Sequence, residues 1–331
     1  MEPTLDVVGV GNAIVDVIST VPESFIAEHG LAKGAMTLID TERATELYSD
    51  MPPGVESSGG SAANTAVGVA SFGGSAAYIG KVRDDQLGEV FAHDMRASGV
   101  AYDVPPALSG PPTARCLIQV TPDAERTMNT FLGISALLEP ADVDEELVAS
   151  AAITFCEGYL WDIDIAKQAI RAAMDIAHDA GRLVSLTLSD PFCVDRHRDE
   201  WLDLISDRVD LVFANLAEAC SMFQTDDFDT ARDQLADIVK IAVITRSEAG
   251  SVVTSADGVF PVPASVVDSV VDATGAGDLF ASGFLFGLSH GQSLVRCSEL
   301  GHLAAGEVIS HVGARPAVSL AQLAALADLV G

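Results

Sequence analysis

The stretch DATGAGD, residues 272–278, opens an apolar helical segment and decides how the rest of the chain is interpreted. Glycines in the first turn of a helix leave backbone N–H groups uncovered at the positive end of the helix dipole. Such groups bind phosphate without lysine or arginine. A neighbouring carboxylate can orient an attacking hydroxyl group and accept its proton, as phosphoryl transfer requires. Asp278 is therefore a candidate base; the alternative is an acidic residue that only favours the helix dipole.

Outward from this stretch, the second half of the chain alternates strand-like and helix-like patterns. Short apolar runs predict strands at about residues 154–160, 183–188, 209–213 and 240–245. Asp257-Gly258 predicts a two-residue hairpin, and the chain after Gly275 is predicted to be helical almost to its end. Strands that alternate with helices predict an α/β fold, with a mostly parallel central sheet flanked by helices.

Two regions, residues 14–40 and 100–132, break this alternation. They show strand-like segments interrupted by Pro and Gly, without helices between them. Separated β-rich segments that meet in space would form a small sheet beside the main one, in a position suited to a lid. The sequence has no linker and no internal repeat, so we expect one domain over residues 1–331 with this β lid.

Composition limits the partners. The 331 residues include 18 Lys and Arg against 48 Asp and Glu, a formal net charge of −30. Such a chain repels nucleic acid and anionic membranes, so we expect neither as a partner. An anionic substrate must then be held by a local set of donors. The charge itself has two explanations, solubility at high protein density or adaptation to salt.

Cysteine and histidine usage favours a cytoplasmic protein without a transition-metal site. The five cysteines are widely spaced and form no C-x-x-C motif, which predicts reduced thiols rather than a disulfide framework. The histidines are scattered, and the N-terminus lacks the basic start and long apolar core of a signal peptide. Whether the protein is a monomer or a homodimer stays open.

Three further motifs could bind ligands. In SSGGSAAN, residues 57–64, the paired glycines let a ligand approach the backbone, and Asn64 suits sugar hydroxyls; a turn with a capping serine is an equal alternative. In DVVGVGNAIVD, residues 6–16, an isoleucine replaces the third glycine of a dinucleotide fingerprint, and the segment instead presents Asn12 and Asp16 to a polar ligand. Asn215 and Glu218 follow a strand at its ligand edge, where a capping box explains them equally well. No Walker A motif is present, which excludes a P-loop NTPase.

In this order, the motifs resemble those of the ribokinase-like (PfkB) family of sugar and nucleoside kinases over nearly the full chain. The GG-x-x-x-N segment is similar to the first family signature, residues 272–278 to the second, and N-x-x-E to a third motif. The resemblance implies transfer of the ATP γ-phosphate to a primary alcohol. Asp278 would be the base, and Gly275, Ala276 and Gly277 would form the anion hole.

The resemblance also implies roles for residues outside the anion hole. The substrate hydroxyls would be held by Asp16, Asn12, Gly59, Gly60 and Asn64. Asn215 and Glu218 would organise Mg²⁺, with Glu218 acting through water, and K⁺ is a further candidate ion. Thr245 and Gly250 would line the nucleotide side, where Ser247 stands in place of the family's usual glycine.

Within the family, FCEGYLW at residues 155–161 and SLTLSDPF at residues 185–192 resemble the adenosine kinase branch, as do residues 36–40. A purine needs flat apolar partners, for which the candidates are Met36, Phe131, Tyr159 and Phe192; ordinary packing is the alternative for each. We expect ATP- and Mg²⁺-dependent phosphorylation of the 5′-hydroxyl of a nucleoside, adenosine first. The alternatives are a kinase for ribose, fructose or another small sugar, and a non-catalytic nucleoside sensor. Arg115 in the lid could meet phosphate or form a surface ion pair.

Overall fold

The computed structural model describes residues 2–123 and 125–330. The strands are β1 Leu5–Val10, β2 Ile14–Thr20, β3 Met36–Leu38, β4 Val55–Gly59, β5 Ala76–Ile79, β6 Val100–Ala101, β7 Ala114–Val120, β8 Arg126–Phe131, β9 Ala151–Glu157, β10 Leu183–Thr187, β11 Leu211–Asn215, β12 Ile241–Thr245, β13 Ser251–Ser255 and β14 Gly258–Val262. The α-helices are α1 Glu23–Glu28, α2 Thr41–Asp50, α3 Ser61–Ser71, α4 Gln86–Ala97, α5 Glu145–Ser150, α6 Asp164–Asp179, α7 Pro191–Arg208, α8 Leu216–Phe223, α9 Phe228–Ile238, α10 Ala276–Ser289, α11 Leu294–Val308 and α12 Leu320–Leu326.

The large sheet has the order β14-β13-β12-β11-β10-β9-β1-β5-β6. The strands from β12 to β6 are parallel, and the β13–β14 hairpin pairs antiparallel at one edge. The predicted α/β fold with a mostly parallel sheet is therefore confirmed. Adjacent residues of β1 serve both faces, because Val7 packs in the core with α3 and α10 while Val8 packs in the core with α6 and α7. Burial on both faces explains why the central strands are apolar without alternation.

The small sheet has the order β3-β8-β7-β2-β4 and differs in composition from the predicted lid. Helix α1 lies inside the first predicted region, and Val100–Ala101 pairs with β5 in the large sheet. Strand β4, which pairs with β2, was not predicted. Its sequence VESSG is polar and ends in glycine, so only pairing with β2 makes it a strand. Movement of this sheet as a lid stays a prediction.

Helices α10 and α11 pack closely through small residues. A Cβ added at Gly283 would lie 2.4 Å from the carbonyl oxygen of Leu300, so the helix backbones touch there. Helix α11 ends at Val308, because the Ile309 carbonyl accepts hydrogen bonds from Val271 and Asp272 instead of continuing the helix. The following segment thereby reaches the loop before α10.

The prediction about the cysteines can be compared with the structure. All five cysteines are free thiols, as predicted, and all but Cys220 are buried. No helix within residues 2–123 and 125–330 is long and apolar enough to span a bilayer.

Candidate active site

Several of the predicted site residues, among them Asn12, Asp16, Asn64 and Asp278, come together at one edge of the large sheet. The parallel strands β1, β9, β11 and β12 all end there, because the carboxyl ends of parallel strands share an edge. Helices α3 and α10 begin at the same edge, and β2 and β4 bring the small sheet over it. Segments separated by more than 200 residues along the chain are thereby in direct contact.

Asp278 lies in the first turn of α10 and is held by α3. The Ser61 hydroxyl donates to its Oδ1 at 2.8 Å, and Asn64 Nδ2 donates to its Oδ2 at 3.0 Å. The side chain is half-buried rather than turned into bulk solvent. Burial raises the pKa of Asp278, while the hydrogen bonds from Asn64 and Ser61 oppose that rise. The carboxylate is thus fixed in orientation and made more basic than an exposed aspartate.

The backbone N–H groups beside Asp278 are available to an anion. Gly275 caps α10 with a φ of 80°, and a Cβ there would lie 2.8 Å from the Ala314 Cα, so only glycine fits. Among the described residues, the N–H groups of Gly275, Gly277 and Asp278 donate to no protein acceptor, and Ala276 donates to Ala273 at 3.3 Å. A Cβ at Gly277 would meet no atom within 4 Å, so open space lies in front of the loop.

An arginine of the small sheet borders residues 272–278, the candidate anion loop. The Arg126 guanidinium forms an ion pair with Asp272 and lies 3.4 Å from Thr274 Oγ1. Asp272 Oδ1 accepts from the Thr274 N–H at 3.0 Å, which shapes the loop. The Arg126 Nε is buried without a hydrogen-bond partner in the described part of the chain. No motif in the sequence marks Arg126. The sequence pointed instead to Arg115, which contacts Thr45 and the ring of Tyr48 on α2.

On the substrate side, the Asp16 carboxylate lies against bare backbone. A Cβ at Gly59 would lie 2.6 Å from Asp16 Oδ2, so the paired glycines make room for this carboxylate. Burial raises the pKa of Asp16 to about 6, although Arg126 and Arg315 lower it. Asp278 is close enough to raise the same pKa. The two carboxylates therefore share one cleft.

Asn12 lies beneath the site rather than at its surface. It is 1% exposed; its Nδ2 donates to Glu157 Oε1 at 2.8 Å, and its Oδ1 accepts from the Ser135 hydroxyl at 2.9 Å. Glu157 Oε2 also accepts from the Ala62 N–H at 3.0 Å, which ties β9 to the start of α3. Both polar groups of Asn12 are thus engaged within the protein, and a sugar contact through it stays a prediction. Glu157 was not predicted as a site residue. The feature of the sequence that could have indicated it is an acidic residue at the end of an apolar strand.

Gly60 connects this layer to α3. Its φ is 97°, and a Cβ there would lie 2.3 Å from the Asn12 carbonyl oxygen. Any side chain would therefore push the start of α3 away from β1. The paired glycines thus serve the backbone geometry of the site.

The four candidate purine partners lie on four different elements. Burial raises the pKa of Tyr159, as do the carboxylates of Asp190, Asp278 and Glu218 near it. Its hydroxyl donates to the Ser189 carbonyl at 3.1 Å. Phe131 is buried at the end of β8, whereas Met36 on β3 and Phe192 on α7 are 46% and 74% exposed. Stacking against a base stays a prediction for all four.

Asn215 and Glu218 form a capping box at the start of α8. The Glu218 N–H donates to Asn215 Oδ1 at 2.8 Å, and the Asn215 N–H donates to Glu218 Oε2 at 2.9 Å. Burial raises the pKa of Glu218 to about 7. Within the described chain, no group of three His, Cys, Asp or Glu side chains could hold a metal ion. A lone carboxylate suits an ion that keeps most of its waters, as Mg²⁺ does.

The loop after β12 keeps a glycine-like backbone without the glycine. Thr245 lies beside Asn215 in the sheet register, and Ser247 has a φ of 51°. Gly250 has a φ of 83°, and a Cβ there would lie 2.1 Å from the Val262 carbonyl oxygen. The serine therefore adopts a left-handed conformation that a glycine at this position would take without strain.

Replacing Ser247 by glycine should stabilise this loop. A left-handed conformation costs a non-glycine residue about 1–2 kcal/mol, and glycine's extra freedom in the unfolded chain offsets part of the gain. We expect Ser247→Gly to be about 1 kcal/mol more stable than Ser247→Ala, which keeps the strain. Urea unfolding of both variants measures the difference. Equal stability of the two variants would contradict the strained assignment.

Stability should rise as the pH falls from 8 to 5. The pKa values of Asp16, Glu157 and Glu218 are raised to about 6, 7 and 7 by burial, so the folded state binds these protons more tightly than the unfolded chain. A pKa that is one higher in the folded protein than in the unfolded chain changes the free energy of unfolding by up to about 1.4 kcal/mol. Below about pH 4.5, protonation of ion-paired carboxylates such as Asp162 and Asp210, whose pKa values are lowered, reverses the trend.

Calorimetry across pH 4–9 checks this expectation. Tm should be higher at pH 5.5 than at pH 8 by on the order of a few degrees. Glu157→Gln, which removes one of the three titrating groups, should flatten the rise. A Tm that falls steadily from pH 8 to pH 5 would contradict it.

Comparison with known proteins agrees with this geometry. Residues 30–320 match the model of the pfkB family carbohydrate kinases. The crystal structure of adenosine kinase from Sinorhizobium meliloti is 55% identical, covers 98% of this chain and 99% of its own, and superposes with a TM-score of 0.91. A probable sugar kinase protein from Rhizobium etli CFN 42 is 53% identical, with coverage of 99% and 100% and a TM-score of 0.93.

Curated relatives include both nucleoside and sugar kinases. Adenosine kinase from Saccharomyces cerevisiae is 27% identical over 94% of this chain and 96% of its own. Probable fructokinase-6, chloroplastic, from Arabidopsis thaliana is 31% identical over 79% of this chain and 71% of its own. The fold, the order of the motifs and these similarities agree with the predicted resemblance. The chain therefore belongs to the pfkB family of kinases, on its adenosine kinase branch, and is a phosphotransferase for a sugar or a nucleoside.

Proposed function

We propose that the protein is an adenosine kinase, which transfers the γ-phosphate of ATP to the 5′-hydroxyl of adenosine and yields AMP and ADP. One observation carries the proposal: Asp278 is held by Ser61 and Asn64 directly beside free backbone N–H groups. A site that only binds a nucleoside has no need of a base next to an anion loop. Similarity to the Sinorhizobium meliloti adenosine kinase favours adenosine over a free sugar.

Substrate binding would use the carboxylate that lies against the paired glycines. Asp16 can accept hydrogen bonds from two neighbouring ribose hydroxyls, as charge-assisted contacts of the stronger kind. Asn64 supplies a polar contact on the same side. Tyr159, which lies close to Asp278, offers a flat surface for the purine.

Phosphoryl transfer then needs a base and stabilisation of negative charge. Asp278 accepts the proton of the 5′-hydroxyl group. At the same time the 5′-oxygen bonds to the γ-phosphorus, and the bond between that phosphorus and the β-phosphate oxygen of the departing ADP breaks. The free N–H groups of Gly275, Gly277 and Asp278 and the Arg126 guanidinium hold the charge on the transferred group, whereas the Ala276 N–H, which the sequence placed in the anion hole, donates to the Ala273 carbonyl. These local donors attract the phosphates of ATP, which the protein's net charge of −30 would otherwise repel.

The nucleotide side involves the ends of β11 and β12. Thr245 and Gly250 would line the ATP site, and Glu218 would hold Mg²⁺ through water, together with Asn215. The fit is chemical: a buried carboxylate whose pKa is raised to about 7 gains a compensating cation. When bound, Mg²⁺ neutralises phosphate charge. K⁺ is a further candidate ion, which comparison of activity in KCl and NaCl tests.

A panel of acceptors with labelled ATP tests the proposal. We expect the kcat/KM for adenosine to exceed that for guanosine, inosine, ribose and fructose by at least about 100-fold, since buried polar groups that lose their partners discriminate strongly. A preference for fructose or ribose would favour a sugar kinase, which the fructokinase relatives represent. Adenosine binding without any AMP after long incubation would favour a non-catalytic sensor.

Location and assembly belong to the same proposal. Five free thiols fit a reducing compartment, so we place the protein in the cytoplasm. The small sheet ends in two edge strands, β3 and β4, which could pair between subunits. Light scattering separates a homodimer from a monomer.

A further inference from the structure

Arg315 carries a charge that the surrounding contacts do not neutralise. Its Nε donates to Asn64 Oδ1 at 3.3 Å, and an Nη lies 3.5 Å from the Met95 sulfur. Among the described residues, no carboxylate oxygen lies within 4.0 Å of a guanidinium nitrogen of Arg315, so Arg315 forms no ion pair there. Burial lowers the pKa of Arg315 to about 10, so the group stays charged near neutral pH. The Arg315 side chain is half-buried, and a guanidinium with five donors is costly to remove from water without anionic partners, which points to a functional reason for its place.

The segment that carries Arg315 touches three parts of the site in succession. The Gly313 N–H donates to Asp272 Oδ2 at 3.0 Å, in the loop that shapes the anion site. Ala314 packs against Gly275: a Cβ added at Gly275 would lie 2.8 Å from the Cα of Ala314. Arg315 then reaches Asn64 on α3. Three consecutive residues thus connect the phosphate side of the cleft to the substrate side.

Asn64 connects Arg315 to the base. Its Oδ1 accepts from Arg315, and its Nδ2 donates to Asp278 Oδ2 at 3.0 Å. The arginine thereby fixes which end of the amide faces the carboxylate. If the amide were reversed, its oxygen would face the carboxylate and the two acceptors would repel each other.

Several ionisable groups face Arg315 from the elements around it. These are Asp16 on β2, Asp94 on α4 and Tyr78 on β5, with Asp278 on α10 reached through Asn64. Asp94 is committed elsewhere, because its Oδ2 accepts from the Ser58 N–H at 2.9 Å and its Oδ1 lies 3.3 Å from His93. Asp16 is therefore the cleft carboxylate on which the charge of Arg315 acts directly, whereas Asp278 is reached through the Asn64 amide.

We propose that Arg315 is a positioning residue of the kinase site, which orients the Asn64 amide toward Asp278 and places a positive charge beside the Asp16 carboxylate. This inference rests on the proposed roles of Asp278 and Asp16. Arg315 itself contacts neither of them directly, so it acts through Asn64 and through its field. Neutralising Arg315 should matter most at low pH, where Asp16 begins to protonate.

The test compares two substitutions at Arg315 over pH 5–9. Arg315→Gln removes the charge but can still donate to Asn64, and Arg315→Lys keeps the charge with a shorter reach. Arg96→Gln is the matched control, because Arg96 neighbours Met95 on α4 and donates to the Tyr102 carbonyl oxygen at 2.7 Å. We measure kcat/KM for adenosine, adenosine affinity by calorimetry, and Tm for each protein.

For Arg315→Gln, the acid limb of kcat/KM should move up by about half to one pH unit. Activity should fall several-fold at pH 6 and return toward that of the unaltered protein at pH 9. Arg315→Lys should keep the original acid limb, and Arg96→Gln should change neither. An unchanged acid limb in Arg315→Gln, or an equal loss at every pH that follows Tm, would overturn the proposal.

Two further readouts keep the proposal testable. Should Arg315→Gln not fold, a shifted acid limb in Arg315→Lys would overturn the charge argument, and an unshifted one would support it. Adenosine affinity against pH reports on Asp16 without turnover. The unaltered protein could therefore fail as a kinase, against the proposed function, while the affinity profile still decides the role of Arg315.

Discussion

Asp278→Asn should lose turnover by about 10³-fold and still bind adenosine within about threefold of the unaltered affinity. A general base contributes about 10²–10⁴-fold to a rate. Asparagine has nearly the same size, so the cleft keeps its shape while the hydroxyl proton loses its acceptor. Steady-state kinetics with labelled ATP and adenosine calorimetry measure the two effects separately.

Asp229→Asn is the control for this substitution. Asp229 lies in the first turn of α9, and its side chain is 69% exposed, so it offers the same chemical change at a helix start without a cleft. We expect normal turnover from it. Asp278→Asn with half its original rate would exclude Asp278 as the base.

Arg126→Gln should reduce kcat by about 10²-fold, comparable to the loss of one donor that stabilises transition-state charge. Its guanidinium borders the anion loop through Asp272 and Thr274. The same substitution should lower stability by about 3 kcal/mol, because the Asp272 side chain is 7% exposed and loses its charged partner. Kinetics and urea unfolding are both required.

The double variant Arg126→Gln, Asp272→Asn separates the two losses. Neutralising both partners leaves no unpaired buried charge, so stability should largely return. The loss in kcat should remain if Arg126 acts on the transferred phosphate. Recovery of kcat together with Tm would show that the arginine is structural. Arg115→Gln, on the adjacent strand β7, should leave kcat unchanged, and a 10²-fold loss there would reverse the two assignments.

The sequence predicted those parts of the site that depend on local backbone geometry. A glycine that begins a helix and an aspartate in its first turn are neighbours along the chain, so their relation follows from helix geometry alone. The same holds for the capping box of Asn215 and Glu218, which the structure confirms. It holds also for the alternation of strands and helices that identified the large sheet.

Long side chains that reach the cleft from distant segments could not be predicted in this way. Arg126 and Arg315 lie in segments with no motif, and each enters the site because a sheet or a loop folds over it. In the sequence, Glu157 is only the last residue of an apolar strand. The structure shows that its carboxylate accepts hydrogen bonds from Asn12 and from the Ala62 N–H. Strand β4 likewise needs β2 beside it before its polar sequence becomes a strand.

Local sequence thus determined the family and predicted the base and the anion loop, because backbone N–H groups and a nearby carboxylate need only a helix start to be aligned. Tertiary structure alone decided which of the 18 cations meet the cleft. In a chain so rich in acidic residues, most arginines and lysines have a carboxylate within reach. Which of them is held apart, with a charge left for the substrate or the base, depends on three-dimensional packing that no spacing along the chain records.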